Sequence, residues 1–392
     1  MIPLMKHTFL HEEETKRSLA DFIIEAKYLS MGEQCNKFEN AFSSFQKTKH
    51  SILFNSGGSA NLALLQALKN LGKIQAGDSV GFSALTWSTN IMPIIQMGLT
   101  PVPIDCEPLT LNAMSYHLQE RIKKVKIKAF FITNALGFTG DLDEIKRICN
   151  ENNILLIEDN CESLGTKLPS EMAGNFGLAA TTSFFVAHHM STIEGGMVHT
   201  KDDELSEMLK IVRANGWDRN LNTEQQKKWR TQHGIKNNFE AKYTFYDLGY
   251  NLRPTEITGF LGSSQLKILE ENIKIRQKNY FTLEKHVLEN PDLIAFKHEH
   301  IQLFSSFAFP ILCKTPKLRD KYLNKFIAAN IEIRPMIAGN IQNQPFYSKY
   351  VNKKYKLPGT DFIHQCGFYC GNYPELTISD LETISNCLKK SN

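Results

Sequence analysis

The stretch SILFNSGGSANLALLQALKNL, residues 51–71, joins a short apolar run to an amphipathic segment through a turn rich in glycine and serine. Strand, turn and helix in this order form the repeating unit of a parallel α/β sheet. The alternation continues to about residue 200, where helix-like DLDEIKRICNEN (141–152) precedes the apolar run ILLIEDN (154–160). We therefore predict an α/β fold with a mostly parallel sheet.

A second block of the chain begins near residue 250. The pattern of residues 250–288 predicts one long helix that bridges two domains, and shorter strands and helices behind it indicate a smaller α+β unit. We predict a large domain over residues 1–255 and a small C-terminal domain over residues 256–392. The polar segment 217–247 lacks clear periodicity and is predicted to be a long loop, of the kind that is usually functional.

Composition limits the function classes. The chain has 392 residues, of which 42% are hydrophobic and 22% charged, as expected for folded domains, and its net charge is only +4. Basic residues are scattered, which argues against a nucleic-acid patch. No apolar run approaches the ~20 residues that span a bilayer. Because no secretion signal is visible, we expect a cytoplasmic protein, and its eight cysteines are expected to be reduced thiols rather than disulfides or zinc ligands.

The turn NSGGSANL, residues 55–62, is the first candidate site. Backbone N–H groups at the N-terminus of a helix bind phosphate well, and Gly57 and Gly58 permit a close approach while Ser59 adds a hydroxyl donor. Glycines also form ordinary turns, and the spacing matches neither a P-loop nor a dinucleotide fingerprint. The pattern alone leaves both interpretations open.

The second candidate is LLIEDNCES, residues 155–163, in which an apolar strand ends in acidic residues. A carboxylate at the carboxyl end of a strand can point into a ligand site, and Asp159 would suit a cationic pyridinium nitrogen. A metal site and a helix N-cap are the alternatives. In SFFVAHHMSTIEGG, residues 183–196, adjacent histidines on an extended segment face opposite ways, so one reactive histidine is favoured over a metal-binding pair.

These segments, taken in order with several others, resemble the nucleotide-sugar aminotransferase family, which uses pyridoxal phosphate and has the aspartate aminotransferase type of fold. The resemblance runs from about residue 30 to 265. It is carried by MGEQCNKFENAF (31–42), NSGGSANLAL (55–64), TWST (86–89), IEDNCESLG (157–165), AGNFG (173–177), SFFVAHHMSTIEGGMV (183–198) and GYNLRPTEITG (249–259), and IEIRPMIAGN (331–340) extends it.

One position departs from the family pattern. The lysine that forms the Schiff base with pyridoxal phosphate falls on His188, and no lysine occurs between Lys167 and Lys201. Histidine at this position is typical of the sugar 3-dehydratases, which remove a hydroxyl group instead of transferring an amine. The resemblance therefore implies non-covalent pyridoxal or pyridoxamine phosphate, His188 as the catalytic base, glutamate as amino donor, release of ammonia, and GDP-4-keto-6-deoxymannose as the substrate.

The resemblance also implies roles for further residues. The phosphate contacts would come from Gly57, Gly58, Ser59 and Ser183, with Asn251 reaching the cofactor of the neighbouring subunit in a homodimer. Trp87 would stack on the cofactor ring, Asp159 would pair with its nitrogen and Glu162 would lie near its phenolic oxygen. Arg219 and Arg334 are candidates for substrate contacts, with a structural ion pair as the alternative for each.

Two other functions compete with this interpretation. A related group of 3-dehydratases acts on other nucleotide sugars, such as CDP- or dTDP-linked ones, and can require an iron–sulfur cluster and a reductase. The chain has no cysteine between Cys161 and Cys313, where that cluster's ligands begin, so we expect no cluster and no metal. The second alternative is a non-catalytic, cofactor-binding scaffold. Trp87, Asp159, Glu162 and Ser183 argue against it because they form an intact set beside the altered residue.

Overall fold

The computed structural model describes residues 1–390. A seven-stranded sheet forms its centre, from β1 (His50–Phe54), β2 (Ser79–Ser83), β3 (Thr100–Ile104), β4 (Ala129–Thr133), β5 (Leu155–Asp159), β6 (Ala179–Ser183) and β7 (Gly196–Thr200). Their spatial order is β1-β7-β6-β5-β4-β2-β3. Strand β7 runs antiparallel to both of its neighbours, and the other pairs are parallel, which confirms the predicted α/β class.

Helices cover this sheet because its strands are apolar on both faces. All five residues of β4, AFFIT, are buried, and the continuous apolar run is typical of a strand with helices on each side. The helices of this part are α1 (Glu12–Glu25), α2 (Glu33–Gln46), α3 (Gly57–Asn70), α4 (Ser88–Gln96), α5 (Ser115–Ile122), α6 (Leu142–Glu151) and α7 (Asp203–Arg213).

The segment 217–247 is not the long loop that the sequence predicts. It contains a 3₁₀ turn at Asp218–Asn220 and two helices, α8 (Thr223–Gln232) and α9 (Asn238–Ala241). Helix α8 buries none of its residues, so it carries no apolar periodicity that could have revealed it. Its start is marked in the sequence by a capping box, in which the side chains of Asn222 and Gln225 each accept the other's backbone N–H.

The predicted single helix over 250–288 is also wrong. The chain forms α10 (Glu256–Leu266) and α11 (Leu269–Leu288), separated by a break at Lys267 and Ile268. Ile268 has a backbone φ of −110° and a ψ of 1°, outside the helical range, and its carbonyl oxygen accepts a hydrogen bond from the Asn272 side chain. The break lets α10 pack along α2 while α11 runs on to the C-terminal elements.

A four-stranded antiparallel sheet follows, in the order β10-β11-β9-β8. Its strands are β8 (Leu293–Ile294), β9 (Ala308–Cys313), β10 (Ile333–Pro335) and β11 (Gly367–Gly371), and its helices are α12 (Pro316–Ala328), α13 (Pro345–Tyr350), α14 (Pro358–Cys366) and α15 (Ile378–Leu388). One hydrophobic cluster joins side chains of both sheets, among them Phe130 of β4 and Phe309 of β9. The division at residue 255 stays a prediction.

Two further expectations concern the cysteines and membrane segments. All eight cysteines are free thiols, and seven of them are buried. None of the helices in residues 1–390 has the length and hydropathy needed to cross a membrane.

Candidate active site

The candidate residues collect at one edge of the large sheet. Strands β1, β2, β5 and β6 run in the same direction, so their carboxyl ends meet there. The segments that follow these four strands contain, in turn, Ser56 to Ser59, Trp87, Asp159 with Glu162, and Ser183 with His188. This edge is where ligands bind in open α/β sheets.

The N-terminus of α3 lies directly against Ser183. A Cβ atom built on Gly57 would sit 2.7 Å from the Cβ of Ser183 and 2.9 Å from its Oγ, so only glycine allows this approach. Ser56 caps the helix by accepting the N–H of Ser59 at 3.0 Å, and its hydroxyl donates to the hydroxyl of Ser59 at 2.9 Å. The free N–H groups of the first turn and the hydroxyls of Ser59 and Ser183 are therefore available to one anion.

Two carboxyl groups lie at the end of β5 and in the turn that follows it. Asp159 ends β5 and is buried, and its oxygens accept from the N–H of Cys161 at 2.9 Å and from the side chain of Asn61 at 3.4 Å. Glu162 accepts the N–H of Leu136 at 3.0 Å. Burial raises the pKa of Glu162 to about 7, with the charge of Asp159 acting in the same direction. Asp159 bonds the N–H two residues ahead in a tight turn and does not cap a helix.

The loop that carries His188 is closed at its base by backbone atoms. Phe184 donates its N–H to Gly195 and accepts one from Thr192, both at 2.9 Å. Gly196 then pairs with Ser183 on one side and Phe54 on the other. A Cβ atom on Gly196 would lie 2.2 Å from the carbonyl oxygen of Ser56, so the glycine is required for the loop to close against the anion site.

His188 is held as a neutral imidazole. Its Nδ1 lies 3.2 Å from the carbonyl oxygen of Phe185, which can only accept, so Nδ1 carries the proton and Nε2 keeps a free lone pair. Desolvation by the surrounding protein lowers the pKa of His188 to about 4, the bond to Phe185 opposes this, and the positive charge of Arg276 adds to it. The imidazole is thus neutral at physiological pH.

His189 faces the other way, as expected for adjacent residues. Its Nε2 bonds the carbonyl oxygen of Ser305 at 3.1 Å, and burial lowers its pKa well below the usual value. Its side chain is buried behind the loop. The described residues contain no cluster of three or more potential metal ligands, and the two histidines do not form a metal-binding pair.

The other predicted residues lie farther out. Trp87 begins α4 with 57% of its surface exposed, which leaves its ring open to a ligand. Asn251 is exposed and accepts from Arg253 at 3.0 Å. Arg219 lies over the ring of Trp217 at 5.4 Å and lines a separate cavity with Tyr243.

Arg334 forms an ion pair with Glu332 at 2.5 Å, which is the structural alternative to a substrate contact. It still lies near the candidate site, because it is opposite Tyr369 in the β10–β11 register. Burial and the charge of Glu162 raise the pKa of Tyr369, while Arg334 lowers it. The carboxyl of Glu162 and the guanidinium of Arg334 therefore both act on the Tyr369 hydroxyl.

Sequence reasoning missed two buried carboxylates with structural roles. Glu158 accepts the N–H groups of Gly174, Phe176 and Gly177 and the amide of Asn134, so it faces away from Asp159. Glu256, in the motif RPTE, accepts three N–H groups at the start of α2, from Gly32, Gln34 and Cys35. Alternation along β5 could have separated Glu158 from Asp159. No feature of the sequence near Glu256 indicates that its carboxylate accepts N–H groups at the start of α2.

Comparison with known proteins identifies one protein family and several similar proteins. The model of the DegT/DnrJ/EryC1/StrS aminotransferase family matches residues 10–389. GDP-4-keto-6-deoxy-D-mannose 3-dehydratase of Yersinia pseudotuberculosis is 34% identical over 396 residues, covering 99% of this chain and 98% of the relative.

Two solved structures of GDP-4-keto-6-deoxymannose 3-dehydratase are similar over the whole chain. One is a histidine-to-asparagine mutant with bound GDP-perosamine, and the other holds a trapped geminal diamine of pyridoxal phosphate and glutamate. Each has a TM-score of 0.90 and 29% identity, and each match covers 99% of this chain and 100% of the other.

Proposed function

This chain belongs to the DegT/DnrJ/EryC1/StrS aminotransferase family, and we propose that within it the chain acts as a 3-dehydratase dependent on pyridoxal phosphate. Its substrate is GDP-4-keto-6-deoxymannose, its amino donor is glutamate, and its products are 2-oxoglutarate, ammonia and the 3-deoxy-4-keto sugar nucleotide. The curated relative at 34% identity carries this activity in its name. Two structural neighbours contain GDP-perosamine and a glutamate adduct of pyridoxal phosphate.

The residues at the sheet edge fit pyridoxal phosphate. The glycine-lined N-terminus of α3, with the hydroxyls of Ser59 and Ser183, suits a phosphate dianion. The buried carboxylate of Asp159 suits a cationic ring nitrogen, and the open face of Trp87 suits an aromatic ring. Gly58 contributes through its backbone, and Glu162, with its raised pKa, can share a proton with a phenolic oxygen.

The observation that carries the proposal is the imidazole at position 188 with a free Nε2. A lysine at this position would hold the cofactor covalently, whereas imidazole cannot form a stable imine. Gly57, Ser59, Asp159, Glu162 and Ser183 are at or just after the carboxyl ends of strands at the same edge of the sheet, which supports the proposal. The site therefore keeps an acid–base group and lacks a covalent one.

The mechanism follows from how this chain moves one proton. When bound, the cofactor carries the amino group and acts as an electron sink. Asp159 would keep its ring nitrogen protonated, and the exposed face of Trp87 would hold its ring. His188 would accept at Nε2 a proton from the carbon of the cofactor that carries the amino group. As an imidazolium of low pKa it would then donate this proton to the C3 oxygen of the sugar, so that the C3–O bond breaks and water leaves. A positioned base of this kind contributes roughly 10²–10⁴ in rate.

The test is mass spectrometry of the sugar nucleotide after incubation of the protein with pyridoxal phosphate, glutamate and GDP-4-keto-6-deoxymannose, with no reductase present. Loss of one oxygen with the ketone retained is the expected result. Replacement of the ketone by an amine contradicts the proposal and indicates an aminotransferase. Turnover only with a reductase, or only of a CDP- or dTDP-sugar, favours the alternative group. A His188→Asn variant is the control, because it should bind the cofactor and leave the sugar unchanged.

We also propose that the enzyme is a cytoplasmic homodimer with shared sites. Four exposed apolar side chains follow one another along 239–248, a composition that suits a covered surface: Phe239, Tyr243, Phe245 and Leu248. Free cysteines suit a reducing compartment. If Asn251 serves the partner's phosphate, mixing His188→Asn chains with Asn251→Asp chains should restore activity that neither shows alone, because one site of each mixed dimer is intact. Failure of this complementation argues against shared sites.

A further inference from the structure

Arg276 is a buried arginine on α11 whose guanidinium is bonded to backbone carbonyl groups and not to a carboxylate. It forms no ion pair among residues 1–390, its Nη1 donates to the carbonyl oxygens of Phe307 (2.9 Å) and Asn372, and its Nε has no partner there. Burial lowers the pKa of Arg276 to about 10, so the guanidinium is charged at neutral pH. A buried charge of this kind is costly, and the family motifs of the sequence do not include it.

The guanidinium is connected to the catalytic loop through residues 305–307. The ring of Phe307 packs edge-on against His188, with ring centroids 5.3 Å apart, and lies 5.9 Å from His189. The carbonyl of Ser305 accepts from His189 at 3.1 Å. Asn372 ties the same segment to α11, since its amide donates to the carbonyl of Arg276 at 2.9 Å and to the hydroxyl of Ser306 at 3.0 Å.

Arg276 and both histidines also border one small cavity of about 20 Å³. The other charged or titratable groups at this cavity are Glu375, His7 and Tyr373. The carboxylate of Glu375 raises the pKa of Arg276 but forms no ion pair with it. The positive charge of Arg276 thus reaches the imidazole of His188 with no carboxylate paired to it.

We propose that Arg276 is a positioning residue for His188, because it fixes the ring of Phe307 on which the imidazole packs and places a positive charge, with no directly bonded carboxylate, behind that ring. The charge disfavours the imidazolium, so the base is neutral before the reaction and gives its proton up readily to the leaving oxygen. This proposal rests on the proposed function for its catalytic meaning, but the electrostatic part is independent of turnover.

Two substitutions separate the charge from the hydrogen bond. Arg276→Gln removes the charge and keeps an amide donor for the Phe307 carbonyl, whereas Arg276→Lys keeps the charge. Burial of His188 is the same in both variants, so the difference between them isolates the charge. Lys278→Gln is the matched control, since it removes a positive charge from an exposed position two residues along the same helix.

The first readout is an NMR titration of ¹³Cε1-labelled histidines in the cofactor-loaded protein, with the His188 signal assigned by its loss in His188→Asn. We expect the pKa of His188 to be about one unit higher in Arg276→Gln than in Arg276→Lys. Wild type and Lys278→Gln should match the lysine variant. Identical titrations of the glutamine and lysine variants would overturn the proposal. If the glutamine variant does not fold, Arg276→Met replaces it with the same expectation.

The second readout is the pH profile of deoxygenation. In Arg276→Gln the acid limb of the kcat/KM profile should move to higher pH by the same amount as the pKa of His188 in the titration. In Arg276→Lys the acid limb should stay at the wild-type pH. Loosening of the Phe307 ring should lower kcat of the lysine variant by about tenfold with KM for the sugar nucleotide unchanged. Equal losses in all variants with no movement of the limb would indicate a merely structural role. If the titration behaves as expected but no deoxygenation occurs, the proposed function fails and the electrostatic role remains.

Discussion

Replacing Gly57 with alanine should weaken binding of pyridoxal phosphate without unfolding the protein. The added methyl group would lie 2.7 Å from the Cβ of Ser183, where ordinary carbon contacts lie at about 3.5–4.0 Å, so the start of α3 must move away from β6 by about 1 Å. Overpacking of this size costs about 1–3 kcal/mol. Because the displaced backbone N–H groups also belong to the proposed phosphate site, we expect the dissociation constant to rise by about 10- to 100-fold.

The assay is a fluorescence or absorbance titration of cofactor-free protein with pyridoxal phosphate, which is feasible because no lysine occupies position 188. Gly58→Ala is the graded control. Its Cβ would lie 3.1 Å from the Cγ2 of Thr89, a side-chain methyl that can rotate away, so the loss of affinity should be smaller. An unchanged dissociation constant in Gly57→Ala, or a larger effect in Gly58→Ala, would refute the reasoning.

Three further predictions concern other parts of the site and its support. His188→Lys should attach the cofactor covalently, seen as a mass increase after borohydride reduction, and should abolish deoxygenation; continued loss of the C3 oxygen contradicts the role of His188. Because the pKa of Glu162 is raised from 4.5 to about 7, ionisation favours the unfolded state, so cofactor-free protein should lose roughly 1–3 kcal/mol as the pH rises between these values. Glu162→Gln should show a flatter dependence of Tm on pH in a thermal scan, and equal slopes would disprove the assignment. Glu256→Gln should lower the free energy of unfolding by about 1–3 kcal/mol in a denaturant titration, since an amide cannot accept all three N–H groups at the start of α2; a wild-type midpoint would show that water replaces the carboxylate.

The repeated strand–turn–helix units of the large sheet were predictable from the sequence. The edge of that sheet on which the candidate site lies was also predictable. Strand, turn and helix have distinct apolar periods, and the carboxyl ends of parallel strands must meet, which brings Ser183 and Asp159 to one edge. Helix α8 was missed because all its side chains are at least partly exposed, and the break at Ile268 was missed because it interrupts an apolar pattern that continues through it.

Residues that act through distant contacts were not predictable from the sequence. Arg276 becomes important because residues 305–307 and 372 fold against it, and these contacts span about 30 to 100 positions of the chain. The partner of Arg334 is Glu332, two residues away, and the sequence could not decide between this ion pair and a substrate contact. Asn61 escaped notice because its contact with Asp159 joins α3 to the end of β5.

The closed base of the loop at 184–195 has a consequence for how such proteins diversify. Its closure depends on main-chain atoms and on Gly196, so the identity of the side chain at position 188 has no part in it. A mutation there can replace a group that bonds covalently with one that only carries protons while the scaffold is inherited unchanged. The type of reaction can therefore change in a lineage without a period of misfolding, and selection can test the new chemistry on an already stable protein.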